Sequence, residues 1–333
     1  MSKTLFIGTF LSHITGSKSI SEKLQRDLSV SEISIVLVSH FKNKFLRFID
    51  IIYAVTFQNY KKIHIDTFSG QAFYIAEVST YIAKVRKKKI ILTLHGGALP
   101  EFYSKNNMRM QKVFTRASLI QTPSLYLQDF FSKQKIQIDY LPNPINLERF
   151  PYNRSNIKKN SLLWVRAFTS IYNPDLAIKT LLEIQKTHPN TTLTMIGPDK
   201  GLLSKTKKLI NELKLENAIT ILGPIQNDKL YKYYQTHQVF LNTTSYESFG
   251  VAVVEAASCG IPIVSTKVGE IPYLWKHDEN ILMTEINPLK FATEINRLLS
   301  STKLQEKLSK NARKKAETFD WDNIKKEWMK ILG

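Results

Sequence analysis

The 333-residue chain has one cysteine, Cys259, so it holds no cysteine pair of its own. That excludes an internal disulfide framework and fits a reducing, cytoplasmic compartment. The Asn-x-Ser/Thr triplets at Asn153, Asn190 and Asn242 then carry no weight, because glycosylation needs a secretory route. Long apolar runs are also missing. No stretch approaches the roughly 18 residues of a membrane span, which argues against integral insertion. The run Leu5–Phe10 lacks the layout of a cleavable signal and reads as a buried first strand. Acidic residues are scarce, 28 against 47 Lys and Arg, for a formal net charge of +19. Such an excess favours polyanions, among them nucleic acid, anionic lipid heads and phosphorylated substrates. No recognised nucleic-acid motif accompanies it, so no nucleic-acid partner is expected, and a lysine-rich solvated surface is the competing reading. The histidines fall in no metal-ligand spacing, so no catalytic metal is expected.

What is present is a hydrophobic content of 43%, enough for a packed interior, on a length that suits two α/β domains better than one core. Strand and helix signals alternate, which predicts parallel sheets covered by helices. Strands are expected at Leu5–Phe10, Ile33–Val38, Ile63–Thr67, Ile90–Leu94, Leu119–Gln121 and Gln137–Leu141. Helices are expected between them, for instance at Ser19–Arg26, Gly70–Arg86 and Ser124–Ser132. Leu141-Pro142-Asn143-Pro144 and the polar stretch after it mark a linker. The alternation resumes with strands at Leu162–Val165, Thr192–Ile196, Ile219–Leu222, Val239–Asn242 and Pro262–Ser265. Helices follow at Asp175–His188, Lys200–Leu213, Asp228–Thr236 and Gly250–Ser258, and the tail from Leu289 is helical. The expected domains are 1–150 and 151–318.

The most informative stretch runs from Asn242 to Val264. A strand ends, a polar loop follows, and a helix begins near Gly250. Gly250 lets backbone approach a ligand closely. The free N–H groups of Gly250, Val251 and Ala252 at the helix start form an anion site. Glu247 precedes that turn and Glu255 lies two turns in. On one helix they would be offset by roughly 80°; with Glu247 in the loop, both carboxylates can face one pocket. Carboxylates are poor partners for phosphate and good acceptors for sugar and ribose hydroxyls. Two solvated acids on a helix are the bland alternative.

This pattern, Glu247 and Glu255 followed by Ala256-Ala257-Ser258-Cys259-Gly260-Ile261-Pro262-Ile263-Val264, closely resembles the donor-site signature of the family 4 glycosyltransferases. Those are retaining enzymes of GT-B fold, an α/β architecture of two Rossmann-like domains facing across a cleft. The resemblance implies that Glu247 contacts donor-sugar hydroxyls and Glu255 the ribose. It extends to Pro142-Asn143-Pro144-Ile145-Asn146, similar to the family's interdomain stretch with Pro144 for a Gly, and to Val268-Gly269-Glu270-Ile271-Pro272, with Glu270 for a Gly. Phe319-Asp320-Trp321-Asp322 resembles the start of the closing helix, which would carry 319–333 back to the first domain.

By the same resemblance, Arg166, after the first strand of the second domain, neutralises the donor diphosphate. The family's Lys six residues on is Tyr172 here, which adds a hydrogen bond but no charge. Ile171-Tyr172-Asn173-Pro174 resembles a subgroup of these enzymes, which argues against inactivity. His95, in Thr93-Leu94-His95-Gly96-Gly97, aligns with a family histidine near the anomeric carbon, though a strand-end histidine bonded to backbone is the alternative. Gly16 resembles the first-domain glycine loop and reads equally as a turn residue. Ile225, Ser248, Phe249 and Val251 complete the implied donor contacts. Implied activity is transfer of a sugar from a UDP- or GDP-sugar to a sugar or lipid-linked acceptor in cell-surface polysaccharide or glycolipid synthesis, with no catalytic cofactor. A nucleotide-sugar-binding partner of another transferase and a GT-B epimerase are the alternatives.

Phe41, Phe45, Phe48 and Ile52 repeat at helical spacing beside Lys44 and Arg47, and Lys84–Lys89 is a basic cluster. This is either a core-facing helix and a solvated helix end, or a peripheral attachment to an anionic membrane surface through the first domain.

Overall fold

Runs of β-branched and aliphatic residues become two all-parallel sheets of six strands each. The structure, a computed structural model, describes residues 3–8, 10, 20–28 and 33–333. The first sheet contains β1 (Lys3–Ile7), β2 (Ser34–Val38), β3 (Lys62–Thr67), β4 (Lys89–Leu94), β5 (Leu119–Thr122) and β6 (Asp139–Tyr140), in the order β2-β1-β3-β4-β5-β6. Helices α1 (Ile20–Leu28), α2 (Lys44–Phe57), α3 (Phe73–Val85), α4 (Leu99–Phe114) and α5 (Leu125–Lys133) connect and cover it. Parallel strands are stable only when both faces are dry. Side chains alternate across the sheet accordingly. Leu5, Ile7, Ile63 and Ile65 share a buried core with Ile51, Val55, Phe73 and Met110. Phe6 and His64, paired in register on β1 and β3, instead meet Trp328, with ring centroids 6.3 and 5.3 Å away. Lys62 Nζ donates to the Leu332 carbonyl at 2.7 Å. The first unit is therefore built from the residues up to Pro144 together with Asp322–Gly333.

The second unit, Ile145–Trp321, carries β7 (Ser161–Val165), β8 (Thr192–Ile196), β9 (Ile219–Gly223), β10 (Val239–Asn242), β11 (Ile263–Thr266) and β12 (Leu282–Thr284). Their order is β12-β11-β10-β7-β8-β9. From β7 the chain fills one side through β9, then returns to the other side of β7 with β10, as in a dinucleotide-binding Rossmann sheet. Its helices are α6 (Pro174–Gln185), α7 (Leu203–Glu212), α8 (Tyr231–Thr236), α9 (Val251–Cys259), α10 (Ile271–Leu274), α11 (Pro288–Leu299) and α12 (Thr302–Glu317); α13 (Trp321–Leu332) begins at its boundary. Every residue of β7 and β11 is buried.

Helices α4 and α10 and strand β12 are not among the elements named from sequence. Helix α4 follows Gly96-Gly97 and contains Pro100. Pro100 falls in the first turn, where its missing N–H costs nothing. Strand β12 is three residues long, too short to show a period. No helix among the described residues is long and apolar enough to cross a membrane.

Candidate active site

In open parallel sheets, ligands bind beyond the carboxyl ends of the strands where the strand order reverses. In the second unit that point lies between β7 and β10, and Arg166, Tyr172 and Glu247 meet there. Arg166 directly follows β7. Its Nε and Nη2 donate to Asn242 Oδ1, at the end of β10, at 3.2 and 2.8 Å. Nη2 also donates to Glu247 Oε2 at 2.5 Å. Asn242 is itself held, since its amide donates to Ser265 Oγ at 2.9 Å. The guanidinium lies over the Tyr172 ring, 5.0 Å from its centroid. Tyr172 thus supplies a cation–π face to Arg166 where the resemblance has a second cation. The side chains of Arg166 and Glu247 are each only 8% exposed. A buried ion pair is tolerated when further hydrogen bonds satisfy it, and Asn242 provides them. Among the described residues, Arg166 Nη1 and Glu247 Oε1 make no further hydrogen bond.

Two glycines let the backbone adopt this arrangement. A Cβ at Gly197 would lie 1.8 Å from the Arg166 carbonyl oxygen. At Gly269, where φ is +53°, it would lie 2.1 Å from the Glu247 carbonyl oxygen. That carbonyl accepts the Glu270 N–H at 2.9 Å. The Val268-Gly269-Glu270 turn therefore clamps the loop that carries Glu247.

Gly250 starts α9 in the left-handed region, with φ +87°. The first N–H groups of a helix have no partner within it. Glu255, on α9 and 7% exposed, accepts from Asn227 Nδ2 at 2.9 Å and from the Tyr234 hydroxyl at 3.3 Å. Burial, reinforced by the Glu255 charge, holds the Tyr234 phenol well above its ordinary value, while Arg166 pulls it the other way. Tyr234 is thus a neutral donor to Glu255 and lies within electrostatic reach of Arg166. Ile225 is half-buried in the turn after β9, Ser248 is half-buried, and Val251 is 51% exposed. The Phe249 ring is buried against Phe319, centroids 5.5 Å apart. Burial pushes the Cys259 thiol up to about 12, so it is a packed, unreactive group.

In the first unit, His95 follows β4. Its Nε2 meets Asp66 Oδ1 at 3.1 Å, and its ring stacks on Phe68 at 5.2 Å. Ser21 Oγ donates to Asp66 Oδ2 at 3.4 Å. Burial acts to raise the Asp66 carboxyl, but His95, then His64 and Ser21, hold it below the usual value. A Cβ at Gly8 would lie 2.7 Å from Asp66 Oδ2, so a side chain there would press on the carboxylate. Gly16 lies outside the described residues. Sequence reasoning passed over Asp66, Asn242, Asn227 and Gly197. The available signal was positional: Asn242 is the polar last residue of the otherwise apolar β10, and Asp66 lies one residue before the end of β3. On α2, Phe45 is 70% and Phe57 71% exposed, and Leu46, Ile49 and Tyr53 are exposed too, as is Phe41 just before the helix; Phe48 and Ile52 are half-buried.

Residues 148–315 match the family of glycosyl transferases group 1, and the chain belongs to it. The D-inositol 3-phosphate glycosyltransferase of Acidothermus cellulolyticus is 28% identical over 49% of this chain and 38% of its own length. The alpha-monoglucosyldiacylglycerol synthase of Acholeplasma laidlawii is 24% identical over 60% of this chain and 50% of its own. The matched region thus spans about half or less of these relatives. Among solved structures, Anabaena HepE in complex with UDP aligns over 100% of this chain and 99% of its own, with TM-score 0.80 and 18% identity. Sucrose-phosphate synthase from Thermosynechococcus elongatus aligns over 99% and 98%, with TM-score 0.79 and 15% identity. The fold is the two-domain, Rossmann-like α/β architecture of the GT-B class.

Proposed function

We propose that the protein transfers a sugar from a nucleotide diphosphate sugar to an acceptor hydroxyl with retention of anomeric configuration. The observation that carries this reading is the Arg166–Glu247–Asn242 constellation at the strand-order reversal of the second unit. Arg166 Nη1 and the N–H groups at the start of α9 are donors for a diphosphate. Glu247 Oε1 is an acceptor for a donor-sugar hydroxyl, and Glu255 for the ribose hydroxyls. His95, oriented by Asp66, serves the sugar hydroxyls or the leaving phosphate. The diphosphate departs from the face on which the acceptor enters, and its own oxygen takes the acceptor proton. The protein contributes positioning and charge stabilisation, with no covalent nucleophile. A UDP-sugar donor is supported by the UDP complexes of HepE, and GDP-sugars form the comparison arm of the test.

A peripheral place on the cytoplasmic membrane face, in polysaccharide or glycolipid synthesis, is supported by the exposed apolar side chains of α2 and by the name of the diacylglycerol-glucosylating relative. The test of the chemistry is Glu247→Gln, assayed by turnover of UDP- and GDP-sugars with thermal melting as the folding check. Transfer should fall by about two to three orders of magnitude in a variant that still melts cooperatively. Near-normal turnover would remove Glu247 from the reaction.

A further inference from the structure

The first sheet has its own reversal. The chain passes from β1 to β2 on one side, then to β3 on the other. By the rule that locates the site in the second unit, a ligand belongs beyond the ends of β1 and β3. A cavity of about 670 Å³ opens there, in the range of small-molecule sites.

Its lining divides into three chemistries. Gly8 and Asp66 form the strand-end floor. Asp66 is held ionised by His95, and an ionised carboxylate only accepts hydrogen bonds, so it selects a hydroxyl. The walls are apolar, with Phe48, Phe68, Tyr74 and Phe102. The Phe48 and Tyr74 rings lie 6.0 Å apart. Lys44 and Arg47 add positive charge from the first turns of α2. Arg109 also lines the cavity, but its guanidinium is matched by Glu77, with Nη2 to Oε2 at 2.6 Å. Lys44 has no ion pair among the described residues, so its charge is available to an anion.

A free neutral sugar would stack on the aromatic walls but leave the cations and the exposed apolar surface of α2 without a partner. A neutral glycolipid would leave the cations unused. The three chemistries together match one molecule with a hydroxylated head, a phosphate and a hydrocarbon chain. The same helix continues outward with the exposed Phe45 and Ile49, which extends the apolar surface beyond the groove. We infer that this groove takes the sugar acceptor, and that the acceptor is an anionic amphiphile, a phosphate-bearing lipid with a free hydroxyl. Its role as acceptor rests on the transferase reading; its binding does not.

The test is calorimetric titration of the full chain with decyl phosphate, decyl β-glucoside and inorganic phosphate, all below micellar concentration. Decyl phosphate should bind at least tenfold more tightly than decyl glucoside, and inorganic phosphate should show no heat. Lys44→Glu should weaken decyl phosphate at least tenfold. Phe57→Ser, exposed on α2 but outside the groove lining, should leave it unchanged. Equal affinity for the two amphiphiles overturns the inference, as does tight binding of inorganic phosphate. Equal losses in the two variants also overturn it, because binding would then belong to the outer helix face. UDP-glucose-dependent melting is read on the same samples. A normal donor response with no amphiphile binding defeats this inference alone, and the reverse result counts against the transferase reading alone.

Discussion

Arg166 concentrates the electrostatics of the second unit in one side chain. It is forked between Asn242 and Glu247 and backed by the Tyr172 ring. A lysine carries the charge but not the planar fork, and cannot serve both oxygens while stacking. Arg166→Lys should therefore cut transfer by roughly 100-fold, the scale of losing one preorganised donor, with donor affinity by calorimetry falling in parallel. Unchanged kinetics in a folded variant would show that the fork is not used. Glu247, Glu255 and Arg166 were legible in the sequence because their spacing and flanking residues form a dense pattern. Asp66 was not, because one acid in the strand Lys62–Thr67 has no neighbour in sequence that explains it. Its partners, His95 and Ser21, come from other elements. The role of Gly197 was hidden for the same reason. Only the approach of the Arg166 carbonyl makes a side chain impossible there.

Among the elements, strands with unbroken burial were easiest to read, β7 above all. The period of α2 announced a helix but not its orientation, since an apolar stripe reads alike whether it faces a core or solvent. Only the packed position shows that Ile51, Ala54 and Val55 fill the core while Phe45 and Phe57 do not. The contact between β3 and α13 has a pH signature. Burial pulls His64 down to about 4, against 6.5 for a free imidazole. Between those values the unfolded chain binds the proton and the folded chain does not. The His64 contribution is therefore intact above pH 6.5 and declines toward pH 4. At about 1.4 kcal/mol per pH unit the loss amounts to roughly 3 kcal/mol. The Asp66 carboxyl, held below its ordinary 3.8, adds its own loss only at more acid pH. Melting temperature against pH should show the decline, and His64→Phe should shrink the slope. A remainder should persist, because burial also lowers His237. An unaltered slope in His64→Phe would assign the effect elsewhere.

For the molecule as a whole, charge and exposed apolar surface occur on the same unit. Tyr81 and Val85 on α3 are exposed immediately before the basic run Arg86–Lys89. Each cation near an anionic bilayer contributes about 1 kcal/mol, and salt screens it. The protein should float with anionic vesicles at low salt, less at high salt, and little with neutral vesicles. Indifference to lipid charge would leave the basic run as a solvated surface. The discontinuity of the first unit has a further consequence for biosynthesis. Residues up to Pro144 emerge from the ribosome early, yet the indole that covers Phe6 and His64 is residue 328. That face of the nascent sheet stays wet while the whole second unit is translated and folds. The portion made first is thus the portion completed last.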